Sequence, residues 1–139
     1  MFSFFTVGGQ SAVTNVSFLE ENRQILVEKH LISPELSQMD EGSGIVLSND
    51  RNCCVMINEE DHLRIQVLQP GLEFEKVWKR ADELDSGIES NLNYAYDAEL
   101  GFLTACPTNL GTGLRASAMM HLPGLVMSKN MDKVINAVN

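Results

Sequence analysis

The chain has few cysteines, few basic residues and no long apolar run, and each shortage excludes something. Its 139 residues hold three cysteines, two of them adjacent at Cys53 and Cys54. That number and spacing give neither a disulfide framework nor a metal-ligand set. They point instead to a reducing, cytoplasmic setting. Only 10 Lys and Arg face 19 Asp and Glu, a net charge of −9. Nucleic acid and anionic membranes are therefore poor partners, since phosphate-rich surfaces need clustered cations. A single nucleotide such as ATP is not excluded, because a few arginines can hold it. No apolar run approaches the ~20 residues of a membrane helix. The apolar start MFSFFTVGG has no basic region and no small-residue cleavage pattern, so it is not read as a signal peptide. Internal repeats and low-complexity linkers are also lacking.

What remains is a globular composition, 44% hydrophobic and 21% charged, sized for one domain or part of a larger one. Residues 1–13 have little periodicity and read as a strand remnant or a frayed end. From Ser17 to His30 the apolar positions Phe18, Ile25, Leu26 and Val27 fit one helical face, which Ser33-Pro34 stops. Residues 34–44 read as a polar loop. A short strand is predicted over 45–48, followed by turn chemistry in Asn49-Asp50-Arg51-Asn52. A second strand is predicted from about Cys53 to Leu68, closing a hairpin that Pro70-Gly71 ends. Leu72, Val77, Trp78, Ala81, Leu84 and Ile88 predict a helix over 72–91. A short strand follows at 102–104. Residues 114–122 allow a helix by length and alanine content, but they alternate with period two, which favours a strand ended by Pro123-Gly124; 129–138 predict a helix. The order of elements implies an α+β fold, an antiparallel sheet with helices packed on one face.

Two polar segments carry the candidate chemistry. In an extended strand Asn58, Glu60, His62, Arg64 and Gln66 would share one face. Glu60 and Arg64 would then stand about 13 Å apart, suited to gripping two ends of one ligand. The plainer interpretation is a solvated sheet face. The second segment, CPTNLGTGLR at 106–115, joins a thiol, a glycine loop and an arginine. A thiol near an arginine such as Arg115 gains thiolate character and can act as nucleophile or as partner for a cation. Arg115 itself can clamp a phosphate. Against this stand a buried structural Cys106 and an ordinary turn at Gly111 and Gly113. His62 and His121 are candidate acid–base groups or structural histidines. Cys53 and Cys54 read as core or edge filler.

NEEDHLR at 58–64 and CPTNLGTGLRAS at 106–117 resemble the signature segments of the ATP:guanido phosphotransferases, the phosphagen kinase family. LVEKHLISPEL (26–36) and MMHLPGL (119–125) are more similar to the bacterial protein-arginine kinases than to the animal enzymes. The resemblance implies an antiparallel sheet flanked by helices and transfer of the γ-phosphoryl of Mg-ATP to a guanidinium nitrogen. In the bacterial branch the acceptor is an arginine side chain of a protein. It implies that Glu60 orients the guanidinium and accepts its proton, and that Glu59 lies near the water shell of Mg2+. Arg64 and Arg115 would hold ATP phosphates, and Cys106 would contact the guanidinium. Met119 stands where animal enzymes carry a histidine near the adenine. Family members are more than twice this length, and the SxRxR and RGxxGE-type segments have no counterpart here. Residues 1–139 are thus expected to form a partial catalytic domain with little activity alone. The alternative is a non-catalytic remnant that binds nucleotide weakly or associates through open sheet edges. A cysteine hydrolase built on Cys106 has no further support.

Overall fold

The structure, a computed structural model, describes residues 12–15, 23–39 and 42–138. Its centre is a four-stranded antiparallel sheet in simple sequential order. The strands are β1 (Ala12–Asn15), β2 (Gly44–Leu47), β3 (Cys53–Ile57) and β4 (Leu63–Val67). Helix α1 (Arg23–Glu28) lies between β1 and β2 in the chain, and α2 (Phe74–Glu89) follows β4. A small two-stranded unit, β5 (Tyr96–Asp97) and β6 (Gly101–Phe102), precedes helices α3 (Pro123–Met127) and α4 (Met131–Val138).

The sheet buries both faces, not one. β3 is a continuous apolar run, Cys53 to Ile57, and such runs belong to strands covered on both sides. Val46, Cys53, Val55, Ile65 and Val67 pack against Ala81, Leu84 and Ile88 of α2. The alternate residues Ile45, Cys54 and Met56 pack against Leu26, Leu31, Ile32 and Leu36. The register sets this division: Val55 lies between Val46 and Ile65, while Met56 lies between Ile45 and Arg64. Cys53 and Cys54 are core residues, as their context suggested. Burial pushes the Cys53 thiol up to about 11 and raises Cys54 further.

The predicted strand 53–68 is in fact two strands. Residues 58–62 form the turn between β3 and β4, closed by the Asn58 N–H donating to the His62 carbonyl at 3.0 Å. Asn58 takes a left-handed backbone, φ 51°, which asparagine tolerates better than most residues. The proposed common face of Asn58, Glu60, His62, Arg64 and Gln66 therefore reduces to Arg64 and Gln66. Other boundaries also shift. α1 stops at Glu28, ahead of Ser33-Pro34, with His30 in the left-handed region at φ 56°. The predicted extension of that helix over 17–22 lies outside the described residues, as do residues 1–11. The loop 34–44 includes a short turn of helix, Leu36–Gln38, whose Leu36 is fully buried. The strand predicted at 102–104 is β6, shorter and beginning one residue earlier. Residues 114–122 adopt no regular element, and Pro123 opens α3 where it was expected to end a strand.

Candidate functional site

The acidic turn sits where β3 and β4 leave the sheet. Pairing Arg64 with Met56 puts the arginine on the face covered by the segment after α1. There it donates from Nη1 to Glu59 Oε1 at 2.7 Å. The Glu59 side chain is only 3% exposed and that of Arg64 27%, so the pair is partly buried, with the carboxylate the shielded partner. Its second oxygen accepts the Glu60 N–H at 2.8 Å. Burial alone would raise the Glu59 carboxyl. The Ser33 hydroxyl, the Glu60 amide and the Arg64 guanidinium outweigh it and hold the group below its ordinary value. Ser33 is itself fixed, since its Oγ accepts the Leu36 N–H at 3.0 Å. Glu60 stays exposed at the tip of the turn, with its backbone anchored and its carboxylate toward solvent.

Glu60 and Arg64 are therefore not two ends of one strand face. Arg64 is engaged by Glu59, a partner that strict alternation had placed on the opposite face. The turn is pinned from behind as well. The Ser43 hydroxyl donates to the Asn58 carbonyl at 2.9 Å, and Asn58 Nδ2 donates to the Gly42 carbonyl at 2.7 Å.

Cys106 lies on a loop after β6, half-buried, with its sulfur 2.9 Å from Thr108 Oγ1. The loop returns to β6 through two backbone bonds, Phe102 N–H to the Gly111 carbonyl at 2.8 Å and the reverse at 3.2 Å. Gly101 and Gly111 meet there backbone to backbone. A Cβ on Gly101 would lie 2.4 Å from the Gly111 oxygen, and Gly101 also has φ 78°. Gly111 thus serves loop closure. Phe102 packs edge-on against Tyr94 and Tyr96, at ring centroid distances of 5.9 and 5.2 Å. Tyr94 in turn bonds Asp85 of α2, and burial together with that carboxylate pushes its phenol up.

The two motif segments meet through Asp61, which strict alternation puts on the face opposite Glu60. Asp61 Oδ1 accepts the Ala105 N–H at 2.7 Å. Glu60 and Cys106 are the immediate chain neighbours of the two bonded residues. The available signal was an Asn and three acidic residues inside a supposed strand far longer than usual.

Arg64 and Arg115 line one cleft of about 810 Å³, with Lys29, Ser33, Gln66 and Met119. Gln66 is buried and donates to the His30 carbonyl, which closes the floor. His121 lines the same cleft, whereas His62 is exposed at the turn. The cleft brings Arg64 and Arg115 together for a polyanion; Glu59, Glu60 and Cys106 do not line it, and the acidic turn and the thiol loop connect to it through the Glu59–Arg64 pair and the Asp61–Ala105 bond. Among the described residues no cluster of three or more His, Cys, Asp or Glu could hold a metal ion. Among them, too, no helix is long and apolar enough to cross a membrane.

Residues 9–139 match the family model of the ATP:guanido phosphotransferase C-terminal catalytic domain. The chain is 50% identical over 129 residues to a protein-arginine kinase of Desulforamulus reducens, covering 93% of this chain and 36% of that protein. It is 47% identical over 137 residues to a protein-arginine kinase of a Geobacillus species, covering 98% and 38%. It thus spans little more than a third of the length of these curated relatives. Among solved structures it is similar to the duplicated taurocyamine kinase of Schistosoma mansoni with bound transition state analog components. That likeness has a TM-score of 0.71 and 32% identity, over 87% of this chain and 19% of the other. By these matches the chain belongs to the ATP:guanido phosphotransferase family, with its similarity in the C-terminal catalytic domain.

Proposed function

We propose that this chain supplies part of the active site of a protein-arginine kinase. The reaction would pass the γ-phosphoryl of ATP to a guanidinium nitrogen of an arginine side chain. A nitrogen–phosphorus bond forms, the bond from the γ-phosphorus to the bridging oxygen breaks, ADP leaves, and the nitrogen gives up a proton. One observation carries the reading: Arg115 and Arg64, remote in sequence, line one cleft, and Arg64 is bonded to Glu59 of the acidic turn. Phosphoryl transfer depends mainly on positioning and charge stabilisation, so convergent guanidinium groups are what the phosphates require.

Within this reading Arg64 and Arg115 grip the phosphates. Arg64 is pre-aligned by Glu59, which limits the entropy lost on binding. Glu60, exposed beside them, orients the acceptor guanidinium and takes its proton. The Cys106 sulfur contacts the same planar cation. The donor set suits a magnesium ion that arrives with the nucleotide, because Mg2+ is commonly bound through phosphates, waters and one or two carboxylates. Glu59, bonded to Arg64, and the adjacent Glu60 are the carboxylates that would serve it, and Glu59 would act through the water shell. The ion would neutralise charge developing on the phosphates. Residues 1–139 form a partial catalytic domain in this account, and the free cysteines fit a cytoplasmic setting.

The test is Mg-ATP titration of the wild type against Arg64→Ala and Arg115→Ala. Each substitution removes charged hydrogen bonds and should weaken binding about tenfold or more. Equal affinity in all three proteins would overturn the reading.

A further inference from the structure

We infer that Asp61 is a positioning residue that latches the Cys106 loop onto the acidic turn and so sets the sulfur beside Glu60. Its functional meaning rests on the kinase reading above, but the latch can be judged without any activity.

The argument begins with what holds the loop. No residue between 90 and 138 is buried, so apolar packing does little to fix residues 104–113. Several hydrogen bonds shape that loop from within. Thr104 Oγ1 donates to the Cys106 carbonyl at 2.8 Å, Cys106 pairs with Thr108, and the Gly113 N–H reaches the Asn109 carbonyl at 3.0 Å. These contacts set the loop's own shape without setting its distance from the sheet. The bond from the Ala105 N–H to Asp61 does that, across 44 residues of sequence. It is short, 2.7 Å, and its acceptor is a carboxylate, the stronger class of amide hydrogen bond.

The acceptor end is rigid. Asp61 belongs to a turn closed by Asn58 and His62 and pinned through Ser43 and Gly42. The donor end is one residue from the sulfur. A bond of this kind therefore transmits the position of β3 and β4 directly to Cys106. It also leaves the Glu60 carboxylate unobstructed, since the adjacent Asp61 carries the structural load. The three consecutive acidic residues thus divide the work. Glu59 fixes Arg64, Asp61 fixes the thiol loop, and Glu60 stays available.

The test uses the 139-residue chain with Glu60→Cys, crosslinked to Cys106 by a short bis-maleimide in three backgrounds: native Asp61, Asp61→Ala and Asp61→Asn. Cys53 and Cys54 are buried and do not compete. Hydrogen exchange at the Ala105 amide is followed in parallel, without the Glu60 substitution. Asp61→Ala should slow crosslinking and speed Ala105 exchange, each about tenfold. Asp61→Asn keeps a carbonyl acceptor and should remain within about threefold of the native residue in both. The inference is overturned if Asp61→Ala crosslinks at the native rate, or if position 60 and Cys106 do not crosslink with Asp61 in place. Mg-ATP titration of the arginine variants decides the kinase reading separately, so either can fail while the other stands.

Discussion

Residues 23–89 and residues 90–138 are built on different principles. The first region wraps a sheet between α2 on one face and α1 with its following segment on the other. Its core side chains Leu36, Met56 and Leu84 are at most 1% exposed. The second region contains no buried residue. Met119, Val126, Met127 and Val138 are each more than 60% exposed. Yet the candidate site draws on both regions: Glu59, Glu60 and Arg64 from the first, Cys106 and Arg115 from the second. Arg64 stands on β4 of the packed sheet, paired with Glu59, and the acidic turn is pinned to that sheet through Ser43, Gly42 and the Asn58–His62 bond. The thiol loop is held by a few directional bonds and one glycine-to-glycine contact. Precision of the second group therefore depends on polar latches, which are easier to open than a core.

The largest effect should come from the first region. Leu84→Ala removes a fully buried side chain between α2 and the sheet, and should cost about 2–5 kcal/mol in denaturant unfolding. A loss below about 1 kcal/mol would mean that the two regions are not as different as their packing implies. Next in size is Gly101→Ala. The added methyl meets the Gly111 carbonyl, and the left-handed backbone costs a further ~1–2 kcal/mol. This change should open the Cys106 loop while leaving the sheet intact. Faster amide exchange at Phe102 and Gly111, with protection in β3 retained, is the expected result. Loss of β3 protection would show that the small unit and the sheet unfold together.

Much of the first region was legible because its periodicities are those of packed elements. The apolar run 53–57 and the spacing of Ala81, Leu84 and Ile88 match β3 and α2 closely. The break between β3 and β4 was not legible from alternation, because Leu63, Ile65 and Val67 resume the pattern after the turn. Turn residues, rather than apolar period, carried that information. Coverage of both sheet faces was written in the uninterrupted apolarity of β3, which alternation rules understate. Residues 114–122 mislead in the opposite sense. A period of two makes a strand only when a partner edge is present, and among the described residues none pairs with them. The motif residues were legible by resemblance, and their meeting through Asp61 depended on long-range geometry.

A smaller effect follows from the state of Glu59. Its carboxyl is held below the ordinary value of 4.5 in the folded chain, so the folded state binds fewer protons than the unfolded one as the pH approaches that value. Its contribution to stability is present above pH 4.5 and is lost as pH falls through the depressed value. Glu59→Gln should lower stability at pH 7, where the ionised pair with Arg64 is complete, and flatten the loss of stability on acidification. Chemical unfolding at pH 7 and at successive steps below 4.5 measures both. Parallel acid profiles for the wild type and Glu59→Gln would place the acid sensitivity in another group.

The smallest effect should be found in α4. Met131, Val134, Ile135 and Val138 form a stripe at helical spacing, but Val134 is 37% and Ile135 46% exposed. Replacing both with serine removes apolar surface that already faces water. Little transfer free energy is at stake, so unfolding stability of the sheet should change by less than about 0.5 kcal/mol. The same double variant should bind less of a hydrophobic dye and sediment with less self-association, since exposed apolar stripes favour both. A loss above about 1 kcal/mol would show that the stripe packs on the body of the chain in solution. The contrast between a packed first region and an open second one would then have to be redrawn.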